Sequence, residues 1–131
     1  MKAQLTPYLM SKDARSQAEM YTKALGGEIL SVMTYGQTPG TPEAIKDKVM
    51  HMAITVGGGN TLFLSDAFEP SESNRSIALA LAFECEIEAR EAYGNLSEGG
   101  TIKFPFELQS WGAYYSEVVD KFGVTWQIVK Q

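Results

Sequence analysis

One construction occurs twice in this chain, and it limits the folds open to it. Near the C-terminus, Asp120-Lys121-Phe122-Gly123-Val124-Thr125-Trp126-Gln127-Ile128 reads as a polar turn that ends in glycine and feeds an alternating strand. Val124, Trp126 and Ile128 fall on one strand face, Thr125 and Gln127 on the other. Gly59-Asn60-Thr61-Leu62-Phe63-Leu64-Ser65-Asp66 is built the same way. Each copy follows a helix-period stretch closed by a glycine pair. Ala18, Tyr21 and Leu25 precede Gly26-Gly27, as Ala89, Tyr93 and Leu96 precede Gly99-Gly100. A repeat of this length is a whole supersecondary unit, not a solenoid repeat.

Read in order, each copy runs strand, helix, three strands. Residues 4–10 form a first strand that starts or bends at Pro7. Ser11, Lys12 and Asp13 offer caps for a helix over Ala14–Leu25, with Ala14, Ala18, Tyr21 and Leu25 as its buried stripe. A strand follows over residues 28–35. Residues 36–48, with Gly36, Pro39, Gly40 and Pro42, read as a loop holding one helical turn near Glu43-Ala44-Ile45. Val49–Val56 alternates most clearly: Met50, Met52, Ile54 and Val56 on one face, His51, Ala53 and Thr55 on the other. Gly57-Gly58-Gly59-Asn60 turns the chain into a strand over 61–65. No Lys-Ser/Thr pair follows these glycines, so they are not a phosphate loop. Residues 67–75, with Pro70, form a linker. The second copy has strands over 77–83, Thr101–Leu108 and 113–119, a helix over 84–96, and the closing motif.

This order predicts an α+β fold of two βαβββ modules, residues 1–66 and, with the linker, 67–131, forming one structural domain. Their sheets are expected to join in a curved mixed sheet with the helices outside and a cleft within. The Met50-Met52-Ile54 and Val124-Trp126-Ile128 faces should meet the helices. His51-Ala53-Thr55, Thr61-Phe63-Ser65 and Thr125-Gln127 should line the cleft.

Composition removes several function classes. A net charge of -5 with scattered lysines and arginines is the wrong surface for nucleic acid. No apolar run approaches a membrane span and the first residues lack a signal-peptide core, so a cytoplasmic protein is expected. The single cysteine, Cys85, excludes an intramolecular disulfide framework and any multi-cysteine zinc site, and reads as a reduced, partly buried thiol.

Several segments, taken together and in order, resemble one family. They are Pro7-Tyr8-Leu9, Ala18-Glu19-Met20-Tyr21, Leu25-Gly26-Gly27-Glu28, His51-Met52-Ala53-Ile54, Leu62-Phe63-Leu64-Ser65-Asp66, Trp111-Gly112 and Asp120 through Trp126. The chain resembles the vicinal oxygen chelate superfamily (glyoxalase I, extradiol dioxygenases, bleomycin-resistance proteins). Within it the likeness is to the PhnB-like branch, also labelled 3-demethylubiquinone methyltransferase-like. The resemblance implies the paired βαβββ fold, a small-molecule ligand and a homodimer. It also implies, in the enzymes, a divalent metal held from the first and last strands of the modules. The matching places here are near residues 6–8, Phe63, residues 77–81 and Gln127, and they do not offer a full ligand set. Methyl transfer is not implied by the branch label, because no glycine-rich loop follows a first strand in a parallel α/β pattern.

The candidate groups follow from these faces. His51, the one histidine, is the candidate general base, ligand contact or metal ligand, with Glu28, Glu84, Glu107 and Asp66 as the carboxylates that could join it. Gln127, Thr125 and Ser65 supply hydrogen-bonding groups and Phe63 an apolar one, while Trp111, Tyr114 and Tyr115 follow a turn and offer an aromatic wall. Asp120 caps its turn, Trp126 is core, and Met10, Met20, Met33, Met50 and Met52 read as packing residues. Three functions stay open: a small-molecule-binding protein without the usual metal set, a metal-dependent lyase, isomerase or dioxygenase with relocated ligands, and a non-catalytic dimeric sequestering protein.

Overall fold

A computed structural model describes residues 1–69 and 75–131. Of the linker read over 67–75, residues 70–74 lie outside the described residues. The chain divides into two compact units, Met1–Ser71 and Glu72–Gln131. In the first, strand β1 (Tyr8–Ser11) leads to helix α1 (Ala14–Leu25) and strands β2 (Glu28–Thr34), β3 (Val49–Val56) and β4 (Asn60–Asp66). In the second, β5 (Ala78–Phe83) leads to α2 (Glu86–Ser97), β6 (Thr101–Leu108), β7 (Tyr114–Val119) and β8 (Thr125–Lys130). The sheet orders are β1-β4-β3-β2 and β5-β8-β7-β6, with the first pair of each parallel and the others antiparallel. The expected α+β pattern of two βαβββ modules is therefore what the chain forms.

Each core lies between one sheet face and one helix. In the first unit Ala14, Ala18, Tyr21 and Leu25 of α1 are buried with Met52, Ile54, Val56, Leu62 and Leu64. Gln17 is buried too, and its Nε2 donates to the Tyr21 hydroxyl at 2.8 Å, which satisfies both groups inside the core. In the second unit Ala89, Ala92 and Leu96 of α2 are buried with Val118, Trp126 and Ile128. Deleting one such large side chain costs about 2–5 kcal/mol.

The glycine pair does the same job in both halves. Gly26 and Gly99 carry positive φ, 68° and 72°, as a helix exit requires. Gly27 and Gly100 solve a different problem: a Cβ at Gly27 would lie 1.8 Å from the Thr55 carbonyl oxygen, and one at Gly100 2.2 Å from that of Val119. The chain leaving each helix thus presses against the middle strand, and only glycine fits.

An aspartate closes each half, half-buried in the first and buried in the second. Asp66 accepts from the Ala14 N–H (2.8 Å) and the Val49 N–H (2.7 Å), joining the start of α1 to the start of β3. Asp120 accepts from the Phe122 and Val124 N–H groups and from Trp126 Nε1 (2.9 Å), which confirms its turn-capping role.

The loops differ. Between β2 and β3 the stem is held by Tyr35 N–H to Lys48 O and Gly36 N–H to Lys46 O, and the tip carries the expected turn at Glu43–Ile45. Between β6 and β7 a short turn closes with Gln109 N–H to Ala113 O.

Four expectations need correction. The first strand does not run from residue 4: it starts at the proline, with Phe63 N–H donating to the Pro7 carbonyl at 3.0 Å and the paired register beginning at Tyr8. Met10 and Met33 are not packing residues: they are 62% and 45% exposed, on strand positions that alternation turns away from α1. Cys85 is exposed rather than partly buried, since it stands at the N-cap of α2. That helix begins at Glu86, two residues later than expected.

Candidate functional site

Strand alternation gives each sheet a face without a helix, and most candidate residues stand there. In the first unit His51 lies on β3 and Phe63 on β4, with ring centroids 4.8 Å apart and edge-on. Tyr8 of β1 is paired with Phe63 in register and completes the cluster. Its hydroxyl is 3.1 Å from His51 Nδ1, and its ring lies 5.5 Å from His51 and 5.9 Å from Phe63. This contact fixes the orientation of the imidazole on the face. Ser65 is buried, and its hydroxyl donates to Met10 Sδ at 3.2 Å.

In the second unit Gln127 and Thr125 share the helix-free face of β8. Gln127 pairs with Ala80 on one side and Glu117 on the other. Tyr115, two residues before Glu117, donates its hydroxyl to Glu117 Oε2 at 3.2 Å. Burial, then the neighbouring carboxylate, pushes the Tyr115 phenol above its ordinary value, so it stays protonated and remains a donor. Lys103 Nζ stands 3.7 Å from the other Glu117 oxygen.

Two predicted residues stand elsewhere. Tyr114 points toward α2: its ring stacks on Phe106 (5.2 Å, 6°) under the Arg90 guanidinium at 5.4 Å. Glu86 in turn holds Arg90 Nε at 3.0 Å. Trp111 is 68% exposed in the β6–β7 turn. Sequence reading missed Tyr8 and Glu117 as groups of these faces and named Tyr115 only as one of three residues of an aromatic wall. Tyr8 was readable from the alternation of β1, which sets it beside Met10. Glu117 was hidden because β7 carries polar and aromatic residues on both faces.

The comparisons identify the lineage. The family model described as 3-demethylubiquinone-9 3-methyltransferase matches residues 3–129. The chain belongs to that family. It is 27% identical to the protein YjdN of Escherichia coli strain K12, over 97% of this chain and 96% of that one. Protein PA1353 of Pseudomonas aeruginosa has the same fold with a TM-score of 0.85 and 28% identity, covering 99% of this chain and 98% of its own. A glyoxylase/bleomycin resistance protein/dioxygenase domain from Frankia sp. EAN1pec, at 12% identity, 99% of this chain, 92% of that one and a TM-score of 0.72, shares the fold. The fold is therefore that of the glyoxalase/bleomycin resistance/dioxygenase structures.

The metal expected of the superfamily's enzymes can now be tested against the donors. The register sets Tyr8 against Phe63 and Ala80 against Gln127 at the first and last strands of the units. A phenyl ring and a methyl group donate nothing, and a phenol with a neutral amide is a poor set for a divalent ion. Asp66 is committed to two backbone N–H groups. Among the described residues no three His, Cys, Asp or Glu side chains are placed to hold a metal. The donors at these places do not fit such an ion.

Proposed function

We propose that this chain is a small-molecule-binding protein whose ligand lies on a helix-free sheet face. His51 is the polar anchor of the first unit's face and Gln127 that of the second, Thr125 and Ser65 lend hydrogen-bonding capacity, and Phe63 supplies apolar contact. The observation that carries this reading is the Tyr8–His51 hydrogen bond between strands, which orients a titratable ring on a face with no helix to cover it. A histidine held this way offers a ligand a fixed polar group, and it becomes a general acid or base where the ligand has an exchangeable proton.

Exposed apolar residues on β2 (Ile29, Leu30) and β6 (Ile102, Leu108) support a homodimer, since such side chains on outer strands favour association. The single cysteine fits a reducing compartment, so the reading places the protein in the cytoplasm. No helix among the described residues is long and apolar enough to cross a membrane.

A thermal-shift screen of small organic molecules tests the reading. A true ligand should raise the melting temperature of the wild type by several degrees and lose that effect in His51→Ala or Gln127→Ala. Hits that stabilise both variants as well as the wild type would overturn it. The same assay with nickel, zinc, manganese and cobalt separates the metal-dependent alternative, which requires a shift abolished by His51→Ala.

A further inference from the structure

On the helix-free face of the second sheet, Glu117 meets a combination of groups that no structural role explains. Its side chain is 13% exposed, so the carboxylate has lost most of its water. Among the described residues it receives one hydrogen bond, from the Tyr115 hydroxyl, and its other oxygen has only Lys103 at 3.7 Å, beyond hydrogen-bond range. Phe104 is its register partner on β6, half exposed, with its ring centroid 6.2 Å from that of Tyr115. Two aromatic rings thus stand beside a carboxylate with unused lone pairs.

The opposite side of Glu117 is as open. Gln127, its partner on β8, has Ala80 as its next neighbour, and a methyl group leaves the amide unobstructed. Thr125, two residues back on the same face, is 2% exposed and keeps its hydroxyl oxygen buried with no hydrogen-bond partner among the described residues. Buried polar atoms are rarely left unpaired, so this row of groups is short of a partner.

We propose that this face is a subsite for a small organic cation, with Glu117 as the counter-charge to an ammonium group, Phe104 and Tyr115 as walls for its apolar body, and Gln127 as a hydrogen-bonding partner. The inference rests on the reading of the helix-free faces as ligand-binding surfaces and names the ligand class. Aromatic faces attract cations, and a shielded carboxylate attracts them more than an exposed one does. Lys103 is the built-in competitor. Its side chain is 46% exposed and its contact is long, so an incoming ammonium displaces it into water at little cost.

The test uses three isosteric probes on the full-length, isotope-labelled protein: benzylammonium, benzyl alcohol and benzoate, followed by amide chemical-shift changes. Benzylammonium should move residues 104, 115–117 and 125–127 with saturable binding, while benzoate leaves them unmoved. Glu117→Gln, which keeps the shape, should weaken benzylammonium roughly tenfold or more, the size of a lost charged hydrogen bond. Lys103→Ala should leave that binding equal or tighter. Equal binding of all three probes to this face, or no loss in Glu117→Gln, would overturn the cation assignment while leaving the face a ligand-binding surface. No response to any probe on either helix-free face would overturn both.

Discussion

The two sheets have one backbone and two surface chemistries. A constant offset along the chain sets Gly59 against Gly123, Phe63 against Gln127, Ala53 against Glu117 and His51 against Tyr115. The register agrees, for Phe63 lies between Tyr8 and Ala53 as Gln127 lies between Ala80 and Glu117. On the side facing the helix Leu62 with Trp126, Leu64 with Ile128 and Ile54 with Val118 remain large and apolar, while Ser116 stands opposite Met52. On the other side Thr61 and Thr125 agree, but the positions around them have changed: an aromatic and histidine cluster in the first unit, a carboxylate, phenol and amide beside alanines in the second. Packing against a helix restricts one face, and function is free to write on the other.

The sharpest way to break this comparison is at the points that ought to be equivalent. Gly27→Ala and Gly100→Ala each force a methyl group into a strand carbonyl, and each should cost about 3 kcal/mol or more in denaturant unfolding, because backbone must move. A large effect in one half only would refute the structural duplication. The aspartates come next. Asp120→Ala leaves two backbone donors and the Trp126 indole without their acceptor, and Asp66→Ala leaves two backbone donors, so losses of about 2–4 kcal/mol are expected, the first at least as large as the second.

The helix caps offer a smaller and more directed comparison. Asp13 accepts from the Ser16 N–H at 3.2 Å and the Ser16 hydroxyl at 2.8 Å, whereas Cys85 at the start of α2 makes no side-chain cap. Asp13→Ala should cost about 1 kcal/mol, and Cys85→Asp should stabilise by about 0.5–1 kcal/mol, both read by thermal unfolding. The Ser16 hydroxyl, then its N–H, hold the Asp13 carboxyl below its ordinary value of 3.8. A depressed folded-state value means the cap's contribution is present above pH 3.8 and fades as pH falls toward the lower folded value. The stability difference between wild type and Asp13→Asn should therefore shrink below that pH. The smallest expected effect on stability is on the helix-free faces: Phe63→Gln and Gln127→Phe should each change it by about 1 kcal/mol or less while altering ligand binding.

Much of the architecture was legible because apolar alternation and glycine pairs report backbone constraints directly. Val49–Val56 and Ala14–Leu25 emerge with the boundaries read from pattern alone, since a strongly periodic segment leaves little choice. The site was less legible, and β7 shows why. Tyr114, Ser116 and Val118 stand on one face, Tyr115, Glu117 and Val119 on the other, so each face carries one aromatic, one polar and one aliphatic residue. The buried Ser116 defeats the usual polar-out rule by donating to the Ile128 carbonyl at 2.9 Å. Sequence alone thus had no means to tell Tyr114, beneath Arg90, from Tyr115, beside Glu117.

The stapled stem between β2 and β3 has a use of its own. Its backbone bonds close at Tyr35–Lys48 and Gly36–Lys46, so the chain beyond them is a compact excursion that begins and ends at nearly one point. Gly40 at its tip is exposed and has positive φ. A reporter peptide or affinity tag spliced there would enter and leave through the same narrow gate, transmitting little of its own motion to the strand that carries His51. Protein engineers would find in that tip a handle for immobilising the molecule with both helix-free faces unmodified.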